Sequence, residues 1–446
     1  MNLQRPGRFL RIALCLSVSA ACALQAQTQI DVSSKNTAVS ADELKFVVIV
    51  SRHGVRSPTG KLDQLNQYSA EPWPKWKVPS GYLTEHGAKL MTLFGAYDRE
   101  QLAAQGLLAP AGCGDAQHIR IVADSDQRTR ETGKALAAGL APGCDIQVRA
   151  LPEGTEDPLF HALAAGIGHP DKELATAAIA GRIGDNPQGL LEAYRPQLQE
   201  LQDILRGCET PNCETPGKPT PKSLFDIPSS IGPGMSDHMV ELRTPLGVAS
   251  TMSENLLLEY AEGMDAPTVG WGRVDTHKLR DVLQLHTASE DIAQRTSYIA
   301  RVQSSNLLLH ILRSMQQAVD TRPVAGALTM PGDLLLILVG HDTNLANLSG
   351  ALRLSWLIDG RRDDTPPGGA LVFELWKKNG PSAYSVRAYY TAQTLDQMRN
   401  ATPLSLTTPP ERVPVFVPGC SQADQSCDWA VFQATMESAI DPAFTK

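Results

Sequence analysis

Arg52-His53-Gly54-Val55-Arg56-Ser57-Pro58 sets two guanidiniums around one imidazole, with a glycine to turn the backbone and a proline to close the loop. Two guanidiniums can hold a phosphoryl group through paired, charge-assisted hydrogen bonds. A neutral imidazole between them is a nucleophile that can attack phosphorus and carry it as a phosphohistidine. The same seven residues also have a blander use, with Arg52 and Arg56 paired to surface carboxylates and His53 a satisfied loop histidine. The rest of the chain decides between the two.

Such a loop needs a rigid element ahead of it. Phe46-Val47-Val48-Ile49-Val50 is a continuous apolar run, β-branched after the phenylalanine, the profile of a strand buried on both faces. Two further runs end in loops with chemically useful residues. Ile119–Ala123 leads into Asp124-Ser125-Asp126-Gln127-Arg128-Thr129, and a helix follows to about Leu140. Asp333–Val339 leads into Gly340-His341-Asp342-Thr343-Asn344. Ligands of open α/β sheets bind beyond the carboxyl ends of the strands, so these loops are placed to build one pocket.

The heptapeptide resembles the RHGxRxP signature of the histidine acid phosphatases, the branch that includes bacterial periplasmic phytases and glucose-1-phosphatases. His341-Asp342 is similar to the second half of that signature, and Ala123–Thr129 to the segment that donates a third arginine, here Arg128. Arg130, two positions on and pointing away on a helix, reads as structural. The resemblance implies a phosphoglycerate-mutase-like three-layer α/β domain with a mostly helical inserted domain. The expected layout is a signal peptide at 1–26, the catalytic α/β domain at 27–156 and 294–446, and the helical insertion at 157–293.

Phosphoryl transfer spreads charge over three equatorial oxygens, so catalysis is positioning plus electrostatic stabilisation. Arg52, Arg56, Arg128 and His341 would hold those oxygens and His53 would attack in line. Asp342 would protonate the leaving alcohol and then activate water against the phosphohistidine. The resemblance implies phytate as substrate, with outer contacts at Thr59, Lys61, Glu254, Arg301 and Thr343. Gly60 separates Thr59 from Lys61, where bacterial phytases have the two adjacent, and Gln303 stands where some relatives carry a second arginine. Glu254 has an equal reading as a solvated helix carboxylate. The alternatives are a periplasmic glucose-1-phosphatase or broad sugar phosphatase and, in another class, a non-catalytic phosphosugar-binding protein, which would carry a damaged catalytic set.

The chain has 446 residues, 42% of them hydrophobic, enough for one large or two ordinary domains. Acids outnumber bases 48 to 40, which argues against a nucleic-acid partner. Arg5, Arg8 and Arg11 precede the apolar stretch Ile12–Leu24, a leader with small residues at the cleavage positions Ala23 or Ala26. Cutting after Ala26 moves the net charge from −8 to −11. Lipid attachment at Cys22 is a competing reading. After the leader no apolar run is long enough to span a membrane, and a monomer in the periplasm or medium is expected.

Six cysteines remain beyond the leader and admit fifteen pairings. Sequence proximity favours Cys113–Cys144, Cys208–Cys213 and Cys420–Cys427, a layout that resembles the bridges of bacterial phytases. No CxxC pair or HExxH helix is present, so neither a metal nor a cofactor is expected. Lys61–Gly81 reads as irregular, Thr84 as the cap of a helix to about Leu102, Val248–Glu262 and Leu283–Met315 as helices, and Ala370–Trp376 with Tyr384–Tyr390 as a strand pair.

Overall fold

The computed structural model of the chain describes residues 42–207, 220–235, 238–379 and 384–446. The leader with Cys22, the Cys208–Cys213 pair and most of the turn between the last two expected strands lie outside the described residues. In chain order the strands are β1 (Glu43–Arg52), β2 (Ile119–Ala123), β3 (Val148–Arg149), β4 (Ser230–Pro233), β5 (Val240–Arg243) and β6 (Leu335–Gly340). Then come β7 (Leu357–Ile358), β8 (Arg361–Arg362), β9 (Ala370–Lys377), β10 (Tyr384–Ala392), β11 (Glu411–Pro414) and β12 (Ser426–Asp428).

One mixed sheet in the order β11-β10-β9-β1-β6-β2-β3, with β12 on β10, carries the molecule. β1 lies between parallel β6 and antiparallel β9, which explains why its sequence is apolar on both faces. Phe46, Val48 and Val50 pack toward the helices Ser297–Asp320, Asp342–Leu352 and Trp429–Ala439. Val47 and Ile49 pack toward Glu85–Ala104 and Gln127–Leu140 on the other face. The result is the expected three-layer α/β arrangement.

Register brings the three loops together. Arg52 pairs with Gly340, and Val339 pairs with both Ser51 and Ala123, so β1, β6 and β2 end side by side. Antiparallel β9 starts at that same edge, with Ala370 opposite Ser51. A third apolar core lies among the helices Lys172–Arg182, Arg195–Arg206, Pro245–Ala261 and Thr276–Ala293 and includes Val55 of the signature loop.

Several boundaries differ from the sequence reading. The helix expected from Val248 starts at Pro245, because Thr244 caps it and proline suits the first helical position. The stretch read as one helix over Leu283–Met315 is two helices broken at Gln294–Thr296. Lys61–Gly81 contains a helical turn at Leu62–Leu65, and the hairpin β4–β5 interrupts the helical segment. Thr84 caps as expected, its hydroxyl accepting from Gly87 N at 2.8 Å. Cys113–Cys144 and Cys420–Cys427 are disulfide-bonded. Among the described residues no helix is long and apolar enough to cross a membrane.

Candidate active site

Backbone hydrogen bonds pin the signature loop from four directions. His53 N donates to Gly340 O and Gly368 N to His53 O, both at 2.9 Å, and Arg52 N donates to Gly369 O at 2.9 Å. Gly54 N donates to the Thr132 hydroxyl at 2.9 Å. Thr84 N donates to Val55 O at 3.0 Å, and the helix behind it approaches so closely that a Cβ on Gly87 would meet the Val55 backbone. Each neighbour of β1 in the sheet thus also holds the loop that follows it.

His53 is 2% exposed, and its Nδ1 lies 2.8 Å from Gly54 O. A carbonyl only accepts, so Nδ1 carries the proton and Nε2 keeps its lone pair. Burial drives the His53 pKa well below its usual value, and the Arg52, Arg56 and Arg128 charges add to this. The ring is therefore neutral among cations, with a lone pair at Nε2 that could act as a nucleophile. Arg52 is wholly buried; it donates to Thr365 O at 2.7 Å, pairs with Glu254 and lies 2.8 Å from Asp342 Oδ2. Burial by itself would lower its pKa, but Asp342 and Glu254 raise it, so it stays charged. Arg56 donates to both Glu254 oxygens at 3.1 and 3.2 Å.

Asp342 opens the helix Asp342–Leu352 and accepts from Thr343 N at 2.8 Å. Burial pushes its carboxyl up, while Arg52 pulls it below the usual range; the helix N-terminus also favours the anion. His341 sits at the cap position, and Asn344 Oδ1 accepts from its N–H at 2.9 Å. Its Nε2 lies 2.6 Å from Asp124 Oδ2, and Arg128 approaches its Nδ1 at 3.4 Å. Burial and Arg128 lower the His341 pKa against the pull of Asp124. Asp126 pairs with Arg128 at 2.6 Å.

His53, Asp342, Arg52, Arg56, Arg128 and His341 are thus gathered in one place, and Glu254, 8% exposed, joins them instead of facing solvent. Thr343 lines an adjoining cavity of about 310 Å³ together with His161, His238 and Gln303. Thr59 and Lys61 are exposed on the loop beyond the signature. Arg301 is turned to the C-terminal segment, where it donates to Ile440 O at 3.1 Å, and is not part of the cluster. Its neighbour two residues on, Gln303, faces the cavity instead.

Sequence reasoning missed Asp124, His161, His286, Glu290 and Thr365. Asp124 was legible as the first residue past a buried strand. His286 and Glu290, one turn apart on Thr276–Ala293, stand near Glu254 and Asp342 and gave no signal by themselves. Burial pushes the Glu290 pKa up to about 7. Thr365 acts through its backbone, which no side-chain pattern reports. Two clusters, Asp124 with His161 and His341 and Glu254 with His286 and Asp342, hold metal-ligand atoms within 4.8 Å of one another. In the second, Glu254 and Asp342 pair with Arg52, which offsets the negative charge a cation would need.

The chain matches the histidine phosphatase superfamily (branch 2) over residues 43–204 and 243–391. It is 38% identical to phytase AppA of Escherichia coli strain K12 over 414 residues, covering 91% of this chain and 94% of that protein. It is 30% identical to a glucose-1-phosphatase of Providencia rettgeri over 406 residues, covering 89% and 92%. The structure of Hafnia alvei phytase in complex with tartrate superposes with a TM-score of 0.83 at 35% identity, covering 91% of this chain and 99% of that one. The chain belongs to the histidine phosphatase superfamily, branch 2, and is a histidine acid phosphatase related to phytases and glucose-1-phosphatases.

Proposed function

We propose that this branch 2 histidine phosphatase hydrolyses phosphomonoesters through a phosphohistidine on His53, with phytate as its main substrate. The observation that carries the mechanism is the His53 tautomer: Nδ1 is committed to Gly54 O, and Nε2 is left nucleophilic beside Arg52, Arg56 and Arg128. Nε2 bonds to phosphorus as the ester P–O bond breaks, and the departing oxygen takes the Asp342 proton. The Asp342 carboxylate then removes a proton from water, which attacks phosphorus and frees phosphate and His53. A phosphoryl group drawing on Arg52 would relax that arginine's hold on Asp342 and push its pKa up, into the form the first step needs.

Likeness to the E. coli and Hafnia phytases supports phytate, and the cavity beside Thr343 and Gln303 gives room for the rest of a bulky substrate. Thr59 and Lys61 would meet outer phosphates, whereas Arg301 is held elsewhere. A glucose-1-phosphatase is the second reading, favoured by the Providencia relative. The basic and apolar leader together with the disulfides supports export, and we read the exported protein as a monomer with 157–293 as an inserted domain.

The test is phosphate release at acidic pH from phytate, glucose 1-phosphate and an aryl phosphate, with His53→Ala alongside. Phytate well ahead of the others, a dead His53→Ala variant and an acid-labile phosphoryl label on the wild type support the proposal. Activity confined to glucose 1-phosphate would replace the substrate, and a fully active His53→Ala variant would refute the mechanism.

A further inference from the structure

The turn after Asp157 carries a histidine that the mechanism above does not use. Asp157 O accepts from Phe160 N at 3.1 Å and from His161 N at 2.8 Å, and Asp157 Oδ1 accepts from Leu159 N at 2.9 Å. Asn344 Nδ2, in the first turn of the helix behind His341, donates to Phe160 O at 2.9 Å. This tight turn, tied to the His341 helix, presents His161 Nε2 to Asp124 Oδ2 at 2.9 Å. The same oxygen is 2.6 Å from His341 Nε2, and the two imidazole centroids are 5.2 Å apart. Both imidazoles share this one carboxylate oxygen, and among the described residues Asp124 Oδ1 finds no hydrogen-bond partner.

That sharing has a consequence for phosphate binding. In the neutral state His341 donates Nε2–H to Asp124, and its Nδ1 lone pair faces Arg128. A lone pair cannot donate to a phosphoryl oxygen, so His341 must gain a proton at Nδ1 to hold one. The Asp124 charge is what stabilises that imidazolium, and His161 draws on the same charge.

We propose that His161 is a positioning residue for His341, anchoring the shared Asp124 carboxylate and setting the pH range over which His341 can carry a proton to the phosphoryl group. This rests on the reading of His341 as a phosphate ligand. Other charged groups bear on His161. Asp126 and Asp124 come from the loop after β2, and Arg128 from the helix that follows it. Glu156 and Asp157 belong to its own turn, His310 reaches Asp157 from Ser297–Asp320, and His238 lines the same cavity. Burial opposes a protonated His161, but Asp124, Glu156 and Asp126 together outweigh it and raise its pKa. A protonated His161 in turn lowers the His341 pKa.

The test uses His161→Asn, whose amide can still donate to Asp124 but cannot titrate, and His161→Leu, which can do neither. Two readouts are needed: kcat/KM against pH on an aryl phosphate, and the His341 titration followed by NMR of the histidine-labelled, substrate-free protein. In His161→Asn the alkaline limb and the His341 pKa should both move up by ~0.5–1 pH unit, the scale of removing one nearby like charge. His161→Leu should lose ~10-fold or more in kcat/KM across the profile, with the asparagine recovering most of it. An unmoved His341 pKa in His161→Asn, or an equal pH-independent loss in both variants, would overturn the inference. The NMR arm needs no turnover, so a failure of the phosphatase reading would show separately, as wild-type protein without activity.

Discussion

Glu254→Gln isolates what a carboxylate is doing among buried arginines that would hold a phosphoryl group. Glu254 pairs with Arg52 and spans Arg56 Nη2 with both oxygens, so it occupies the guanidinium fork that a phosphoryl group would use. An incoming phosphate meets this negative charge at a separation of ~5 Å. One unit charge at that distance is worth between about 1 and 3 kcal/mol for effective dielectrics from bulk water to protein. Removing it should tighten inorganic phosphate binding about tenfold to a hundredfold, at about 1.4 kcal/mol per tenfold.

Stability should move the other way. Burial raises the Glu254 pKa, but Arg56 and Arg52 bring it well below its usual value, so its carboxylate stabilises the fold above the ordinary carboxylate pKa. That contribution fades progressively as pH falls from the ordinary carboxylate pKa to the depressed folded value. The variant should lose about 3 kcal/mol at neutral pH, the lower end for a broken buried pair, because Arg52 keeps Asp342 and the amide still accepts. Isothermal titration with inorganic phosphate and thermal melts at two pH values measure both effects. A folded variant that binds phosphate no more tightly than wild type would refute the reasoning.

Asp342→Asn should lower kcat for alkyl phosphates by ~10²–10⁴ and for aryl phosphates with good leaving groups by less, since only the former need the proton. Equal losses across a leaving-group series would exclude the acid role. Gly87→Ala would drive a methyl into the Val55 backbone and displace the signature loop, costing about 1–3 kcal/mol and at least ~10-fold in kcat/KM. Gly181→Ala, with nothing within 4 Å of the new methyl, is the matched control on another helix. Glu259 is 1% exposed and accepts from Gly270 N at 2.9 Å, and burial pushes its pKa from 4.5 up to about 8. The folded state therefore holds a proton that the unfolded state has released, and stability falls as pH rises between those values. Glu259→Gln should recover up to about 4 kcal/mol at pH 8 and nothing near pH 4, read as a Tm difference that grows with pH.

The amino-acid sequence by itself determined the core candidate groups, Arg52, His53, Arg56, Arg128, His341 and Asp342, and where the chain turns to present them. Apolar runs of strand length reveal β1 and β6, because a strand covered on both faces has no polar side to show, whereas β2 alternates and carries Arg120, paired with Asp333. Arg52, His53 and Arg56 are close in sequence, so covalent geometry alone keeps them in one loop, and Thr84 was recognisable as a cap because capping is local.

Tertiary structure decided the pairings. Pro245–Ala261 is buried nearly all round, so periodicity could not tell whether Glu254 faces water or the arginines. On Ser297–Asp320, Arg301 and Gln303 are two residues apart and so point different ways, and only packing chose which one faces the cavity. Asp124, His161 and His341 come from three separate stretches of the chain. Charges and hydrogen bonds act over a few ångströms of space, and sheet register with helix packing, not distance along the chain, sets which groups come that close.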